Sequence, residues 1–253
     1  MRKLQVVMPM AGRGQRFIEA NFELPKPLIL VDGKPMFLRA LDSIRGIESD
    51  LFLIIRKDAD EKFALATKIE LAHPEANIHI LDVDTRGAAE SILSLANRFD
   101  MNSPLLILDC DLFFESREFL ELIDRSELLL EDGLLLTFNS NDPRYSYVKS
   151  DRGLATLVRE KIVISEQALI GAYFWKQAGN FLKFAKKCLS DGISERQPEF
   201  YISNTFQKAI EAGRKFRVIN GSFQSFGTPE ELSRYTRDIQ LKTPSLSVDL
   251  GGE

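Results

Sequence analysis

The first half of the chain repeats one pattern three times: a short apolar run, then a segment whose apolar residues recur every three or four positions. The runs are Leu4 to Met8, Leu51 to Ile55, Ile78 to Leu81 and Leu105 to Leu108, and the segments between them are Met36 to Ile44, Ala59 to Leu71 and Ala88 to Ala96. Strands separated by amphipathic helices join by crossover and line up in parallel, with helices on both faces of the sheet. The pattern predicts an α/β fold, a Rossmann-like mixed, mostly parallel sheet with flanking helices. After Asp111 it changes: Leu134 to Phe138, Tyr145 to Lys149, Thr156 to Val158 and Leu169 to Trp175 read as strands with no helix between them, which predicts an antiparallel insertion. Helices return at Phe181 to Leu189 and at Phe200 to Ala212, the latter entered after Pro198 and left at Gly213. Thr228-Pro229-Glu230-Glu231 is a capping box that opens a last helix, to about Leu241. Residues 1–242 are expected to form a single domain. The tail 243–253, which has no period, is expected to be mobile or to lie on a neighbour.

Composition removes several classes of function. Lys and Arg number 33 against 37 Asp and Glu, a net charge of −4, which argues against nucleic acid as the main partner. Two Cys (Cys110, Cys188) and two His (His73, His79) leave no basis for a Cys- or His-rich zinc cluster or a disulfide framework. No apolar run approaches the roughly 18 to 20 residues that cross a bilayer. Leu4 to Met10, broken by Gln5 and Pro9, is too short for a signal-peptide core. A soluble, cytoplasmic protein without a membrane partner is expected.

The charge is unevenly placed. Residues 1–39 hold seven Lys or Arg (Arg2, Lys3, Arg13, Arg16, Lys26, Lys34, Arg39) against Glu19, Glu23 and Asp32, a net of +4 that leaves −8 for the rest. The basic residues surround Met10-Ala11-Gly12-Arg13-Gly14-Gln15-Arg16-Phe17, a glycine-rich turn directly after the first strand, followed by Pro25-Lys26-Pro27. Backbone N–H groups of such a turn can hold a phosphate. It is not the dinucleotide fingerprint, because Phe17 replaces the third glycine, and no Gly-Lys-Ser/Thr follows to make a P-loop. Cations beside a glycine turn suit a small, highly charged anion such as a triphosphate.

Together with Pro27-Leu28-Ile29, Gly33-Lys34-Pro35-Met36, Thr85-Arg86-Gly87-Ala88-Ala89, Cys110-Asp111, Glu160-Lys161 and Gly227-Thr228-Pro229, these motifs resemble the nucleoside-triphosphate transferase family of sugar-nucleotide pyrophosphorylases, in order from about residue 3 to 240. The resemblance implies a fold of nucleotide-diphospho-sugar transferase type. It also implies a Mg²⁺-dependent transfer of a nucleoside monophosphate from a nucleoside triphosphate to a sugar 1-phosphate or similar phosphorylated small molecule, with release of pyrophosphate, as in making an activated sugar for surface polysaccharide. Relatives are often homo-oligomers, so that state is expected by analogy.

By the same resemblance Arg16 would stabilise the triphosphate and the departing pyrophosphate, and Lys26 would contact the α-phosphate or the incoming phosphate. Arg13 and the backbone of Met10, Ala11, Gly12 and Gly14 would hold the nucleotide. Thr85, Gly87 and Ala88 would lie against the base; a tight helix start explains the small residues equally well. Asp82 stands where some relatives read the base with Gln; a carboxylate only accepts hydrogen bonds and would suit guanine or cytosine, while a solvated loop Asp is the plain alternative. Glu160, Lys161, Gly171 and Glu199 would bind the acceptor. Asp111 falls on the metal-binding aspartate, with Asp109 as auxiliary, since two carboxylates two residues apart on a strand point to one face and Mg²⁺ prefers hard oxygens. Ser225 departs from the pattern: many relatives carry Asp or Asn there, and a hydroxyl is a weaker, neutral ligand. Cys110 reads as a packing residue. Tyr145, Tyr147 or Trp175 are candidates for lining the acceptor pocket.

The loop motifs touch only the phosphates, so a cytidylyltransferase for a non-sugar phosphate such as phosphocholine stays open. Asp109-Cys110-Asp111 also imitates the Asp-x-Asp of metal-dependent glycosyltransferases, which have no triphosphate for Arg16 and Lys26 to bind. A non-catalytic nucleotide-sugar sensor is the third alternative.

Overall fold

The structure, a computed structural model, describes residues 2–192 and 198–242. The expected tail 243–253 lies outside the described residues. Nine strands form one sheet: β1 (Leu4–Pro9), β2 (Ser49–Arg56), β3 (Asn77–Leu81), β4 (Leu105–Leu108), β5 (Gly133–Asn139), β6 (Tyr147–Asp151), β7 (Leu154–Arg159), β8 (Gln167–Trp175) and β9 (Phe216–Asn220). Their order is β3-β2-β1-β4-β8-β5-β9-β7-β6. The first four strands pair in parallel, as the βα alternation predicts. From β4 to β8 the pairing turns antiparallel and stays so except between β5 and β9. The sheet curls at this end, where Tyr147 of β6 also pairs with Ala168 of β8.

Alternate residues of the strands feed two cores. Val6 and Met8 of β1 face helices α2 (Met36–Leu41), α4 (Leu65–Ala72) and α6 (Arg117–Asp124). Val7 faces α5 (Ala88–Leu93), α7 (Ala178–Asp191) and α8 (Ile202–Glu211). This is the two-face covering that a parallel sheet requires. A third apolar cluster, Phe17, Ile29, Val31, Met36, Phe226 and Leu232, joins the short helix α1 (Gln15–Glu19) to α9 (Pro229–Lys242). The capping box is formed: Thr228 Oγ1 accepts the Glu231 N–H at 3.3 Å, and Glu231 Oε2 accepts the Thr228 N–H at 3.1 Å.

The helix expected over 59–71 is two helices, α3 (Lys57–Phe63) and α4, broken at Ala64 in the left-handed region with φ 50°. Asp60 stabilises the restart: its carbonyl takes the Ala64 N–H at 2.7 Å and its Oδ1 the Ala66 N–H at 2.8 Å. No described helix is long and apolar enough to cross a membrane.

Gln5, which interrupts the apolar run of β1, is buried, and its side chain bonds both the N–H and the carbonyl of Asp100, at 2.8 and 3.0 Å. Gln5→Leu is expected to cost about 1–2 kcal/mol, because both backbone groups lose their partner. That corresponds to a fall of about 2–8 °C in the denaturation midpoint, which thermal melting measures.

Candidate functional site

β1 and β4 lie side by side where the strand order reverses, and an open α/β sheet leaves a crevice at the carboxyl ends of such strands. The glycine turn leaves β1 into this crevice, and Asp109-Cys110-Asp111 leave β4 into it. Lys26 arrives on a single turn of 3₁₀ helix, Lys26–Leu28, anchored by buried Pro27 and Leu28. Its Nζ lies 2.5 Å from Asp111 Oδ2, with 22% and 25% of the two side chains exposed. Burial works against the lysine charge, but the carboxylates of Asp111 and Asp109 outweigh it and raise the Lys26 pKa. Asp109 is enclosed. A Cβ on Gly171 would fall 2.1 Å from its Oδ2, so only glycine lets the carboxylate rest there. Burial, with the Asp111 charge, raises the Asp109 pKa. Cys110 is buried and its thiol is pushed up to about 12, so it packs as a neutral group.

Lys26 borders three cavities. The largest, about 660 Å³, gathers Arg16, Ala88, Asp109, Asp111, Glu160, Lys161, Gly171, Glu199 and Ser225 from the expected residues. A second, of about 180 Å³, lies against Met10, Gly12, Asp109 and Asp111. A third, of about 340 Å³, runs between the glycine turn and α3 and touches Gly12, Arg13 and Gly14. In the largest cavity Glu160 is buried, and its Oε2 accepts the hydroxyls of Ser146 and, at 2.5 Å, Ser203. Lys161 Nζ donates to the Tyr201 hydroxyl at 2.7 Å.

Other expected residues are engaged elsewhere. Arg13 ion-pairs with Asp84, whose second oxygen takes Arg56 at 2.7 Å, and Arg56 in turn grips Asp58 through two bonds of 2.8 and 2.6 Å. Arg13 therefore ties the glycine turn to the loop before α5. Asp82 pairs with Lys57 at 3.3 Å and is 79% exposed. The Thr85 hydroxyl lies 2.6 Å from that of Ser91 on α5. Gly87, at φ 142°, is pressed on the backbone of Phe200, whose nitrogen would lie 2.7 Å from a Cβ. Of the aromatic candidates Tyr145 lines the main cavity, whereas Tyr147 and Trp175 are fully buried. They belong to strands β6 and β8 at inward positions, so the core takes them.

A two-stranded ribbon completes the site. Leu112–Glu115 pairs antiparallel with Ser222–Ser225, Ser225 standing opposite Leu112, and the Phe226 N–H bonds the Asp111 carbonyl at 2.7 Å. The ribbon returns Ser225, Gly227 and the first turn of α9 to Asp111. The Ser225 hydroxyl donates to Glu231 Oε2 at 2.7 Å, and Glu231 Oε1 accepts from the Tyr145 hydroxyl at 3.2 Å and forms an ion pair with Arg144 at 3.1 Å. Arg144, Ser146, Tyr201, Ser203 and Glu231 were not expected at the site. Only Glu231 had a sequence signal, as the last residue of the capping box.

The donor set admits a divalent cation. Among the described residues no three His, Cys, Asp or Glu side chains form a closed cage. Mg²⁺ does not need one: it takes one or two carboxylates, water and substrate phosphates. Asp111 offers a partly exposed carboxylate on which Lys26 already places a cation, and the missing side chain of Gly227 keeps its Oδ2 reachable, since a Cβ there would lie 2.9 Å away.

A crevice at a switch point, lined by cations beside paired carboxylates, defines a nucleotide-handling α/β protein. Residues 6–172 match the family model of the MobA-like NTP transferase domain, and the chain belongs to that family. It is 22% identical over 233 residues to the bifunctional protein GlmU of Methanococcus maripaludis (strain C7 / ATCC BAA-1331), across 89% of this chain and 52% of that protein. The chain thus spans about half the length of this relative. Its fold is similar to the nucleoside-diphosphate-sugar pyrophosphorylase from Vibrio cholerae RC9, with TM-score 0.76, 21% identity and coverage of 92% of this chain and all of that one (100%). The inositol-1-phosphate CTP transferase from T. maritima gives TM-score 0.72 at 13% identity, over 96% and 98% of the two chains.

In Lys26→Met, Asp109 and Asp111 face each other without a cation. The Asp109 pKa, already raised by burial, then loses the opposing pull of the Lys26 charge and rises further above its unfolded value, so additional stability is lost as pH rises through that range. A loss of about 2 kcal/mol is expected near pH ~8, between the values for exposed and buried pairs, and a smaller one near pH ~5. Denaturation at the two pH values measures both; equal losses would contradict the charge arrangement.

Proposed function

We propose that the chain is a divalent-metal-dependent nucleotidyltransferase, active in the cytoplasm as a single catalytic domain, that joins a nucleoside monophosphate to a sugar 1-phosphate or a similar phosphorylated polyol. The observation that carries this reading is the position of Lys26, which borders both the cavity of the glycine turn and the large cavity holding Glu160 and Lys161. A group there can neutralise charge on two phosphates at once, one from each side.

In the proposed step an oxygen of the acceptor phosphate attacks the α-phosphorus in line, and the bond to the bridging oxygen breaks. Pyrophosphate leaves with that electron pair. The attacking phosphate is already ionised, so no strong base is needed; positioning and charge neutralisation carry the rate. Arg16 would meet the charge that develops on the leaving pyrophosphate. Lys26 would draw the attacking and attacked phosphates together against their repulsion. Lys161 would hold the acceptor phosphate and Glu160, fixed by Ser146 and Ser203, an acceptor hydroxyl. Asp111, with Asp109 behind it, would hold Mg²⁺, which when bound supplies positive charge to the phosphate oxygens. The Arg13–Asp84 pair would keep the nucleotide loop at a set distance from the loop before α5.

The test is pyrophosphate release by purified protein with Mg²⁺, each common nucleoside triphosphate and dTTP, against a panel of sugar 1-phosphates, inositol 1-phosphate and phosphocholine. One productive pair is expected, with Asp111→Ala and Arg16→Ala each lowering the rate by about 10²-fold or more. Turnover with phosphocholine alone would shift the acceptor class, and no turnover with any pair would overturn the reading.

A further inference from the structure

The glycine turn is anchored at its two ends: the Met10 N–H bonds the Ile54 carbonyl of β2 at 2.8 Å, and the Phe17 ring is buried. Between these anchors it has little support. Gly14 opens α1 at φ 65° with no side-chain cap, Gln15 bonds Glu19 within α1, and a Cβ on Gly12 would meet nothing within 4 Å. Among the described residues, Arg13 makes the one hydrogen bond from the middle of this turn to another segment of the chain.

Asp84, which receives it, belongs to a longer chain. Its other oxygen takes Arg56 at 2.7 Å; Arg56 forks onto both oxygens of Asp58, and Asp58 Oδ1 also accepts the Ala59 N–H at 2.9 Å at the start of α3. Arg56 is the last residue of β2 and 15% of its side chain is exposed, which makes it the fixed member. A planar guanidinium that meets a carboxylate through two parallel bonds gives up little freedom for each bond. Arg13, Arg56 and Asp84 stand after or at the ends of β1, β2 and β3, so one chain of alternating charge fastens three neighbouring loops at the carboxyl edge of the sheet. A lone exposed ion pair holds little, but a network with a bidentate link and a shielded centre holds more. Arg13 also borders the cavity against α3 and neither of the two that hold Asp109 and Asp111, whereas Arg16 borders the largest of these.

We propose that Asp58, Arg56, Asp84 and Arg13 form one positioning unit that holds the glycine turn where a nucleotide can meet it, and that Arg13 acts on the nucleotide through this unit and not by touching it. This departs from the direct contact that the resemblance implies for Arg13. The unit brings Asp58, Arg56 and Asp84 into nucleotide affinity at a distance. It also withholds two guanidinium groups from the triphosphate, which leaves Arg16 and Lys26 to meet it.

The effect on the nucleotide rests on the transferase reading, while the unit itself does not, so the test has two arms. The first uses the purified full chain without ligand, labelled with nitrogen-15 glycine so that Gly12 and Gly14 report on the turn. Their backbone order parameters are expected to fall from about 0.85 in the parent to about 0.6 or less in Asp84→Asn and in Arg13→Gln. The double variant should fall no further, because both single changes break the same link. Arg13→Lys keeps a charge for Asp84 and should stay near the parent, and melting temperatures report that each variant is folded. The second arm is pyrophosphate release with the nucleoside triphosphate that turns over best. Its KM is expected to rise about fivefold in each single variant and no more in the double, with kcat within about twofold of the parent. Unchanged order parameters in both single variants would mean that the unit does not hold the turn. A KM raised by Arg13→Gln and left alone by Asp84→Asn, or effects that add in the double, would mean that Arg13 touches the nucleotide. Either result overturns the proposal. If the parent turns over no nucleotide, the transferase reading falls and the order parameters alone decide on the unit.

Discussion

The contact between Lys26 and Asp111 is the constraint around which the crevice is arranged. Its partners are 85 residues apart and reach each other only because β1 and β4 are neighbours in the sheet. An ion pair that is mostly shielded from water gives little net stability, since desolvation offsets attraction. The backbone that carries Lys26 must therefore be held by something else. The apolar cluster of Phe17, Ile29, Val31, Met36, Phe226 and Leu232 does this, packing the glycine-turn helix and the segment after it against the start of α9. Apolar burial sets the position, and the charges exploit it.

The arrangement of cations follows from the same division. Arg16 and Lys26 reach the main cavity, whereas Arg13, three residues before Arg16, turns to Asp84. One short basic segment thus faces both the cavity and the scaffold. The far side of the cavity shows the reverse case: the buried Glu160 carboxyl is held in one orientation by the hydroxyls of Ser146 and Ser203, which both donate to the same oxygen.

Elements with strong local periodicity were legible in the sequence. β4 begins and ends as its apolar run does, and the capping box of α9 is formed between the residues expected. What sequence concealed was tertiary. The ribbon strands Leu112–Glu115 and Ser222–Ser225 are four residues each, with mixed burial, and neither has a pattern of its own. Ala64, a strong helix former by propensity, breaks a helix because Asp60 caps the next turn across it. β9 exists because β5 offers it an edge. At the site, residues within compact motifs were found, while Arg144, Tyr201 and Ser203 were invisible because long-range pairing alone gathers them. Tyr147 and Trp175 were misplaced for the same reason, since an aromatic on a strand gives no sign of which face is inward.

The ribbon between residues 112–115 and 222–225 has a further consequence in time. A chain emerging from the ribosome folds from its N-terminus, and the parallel strands β1 to β4 can pair well before residue 222 is made. The crevice exists at that stage, but one of its walls has not been synthesised. Competence to act is therefore delayed relative to folding: the nascent chain carries an open, unfinished site until the segment 222–231 threads back beside Asp111.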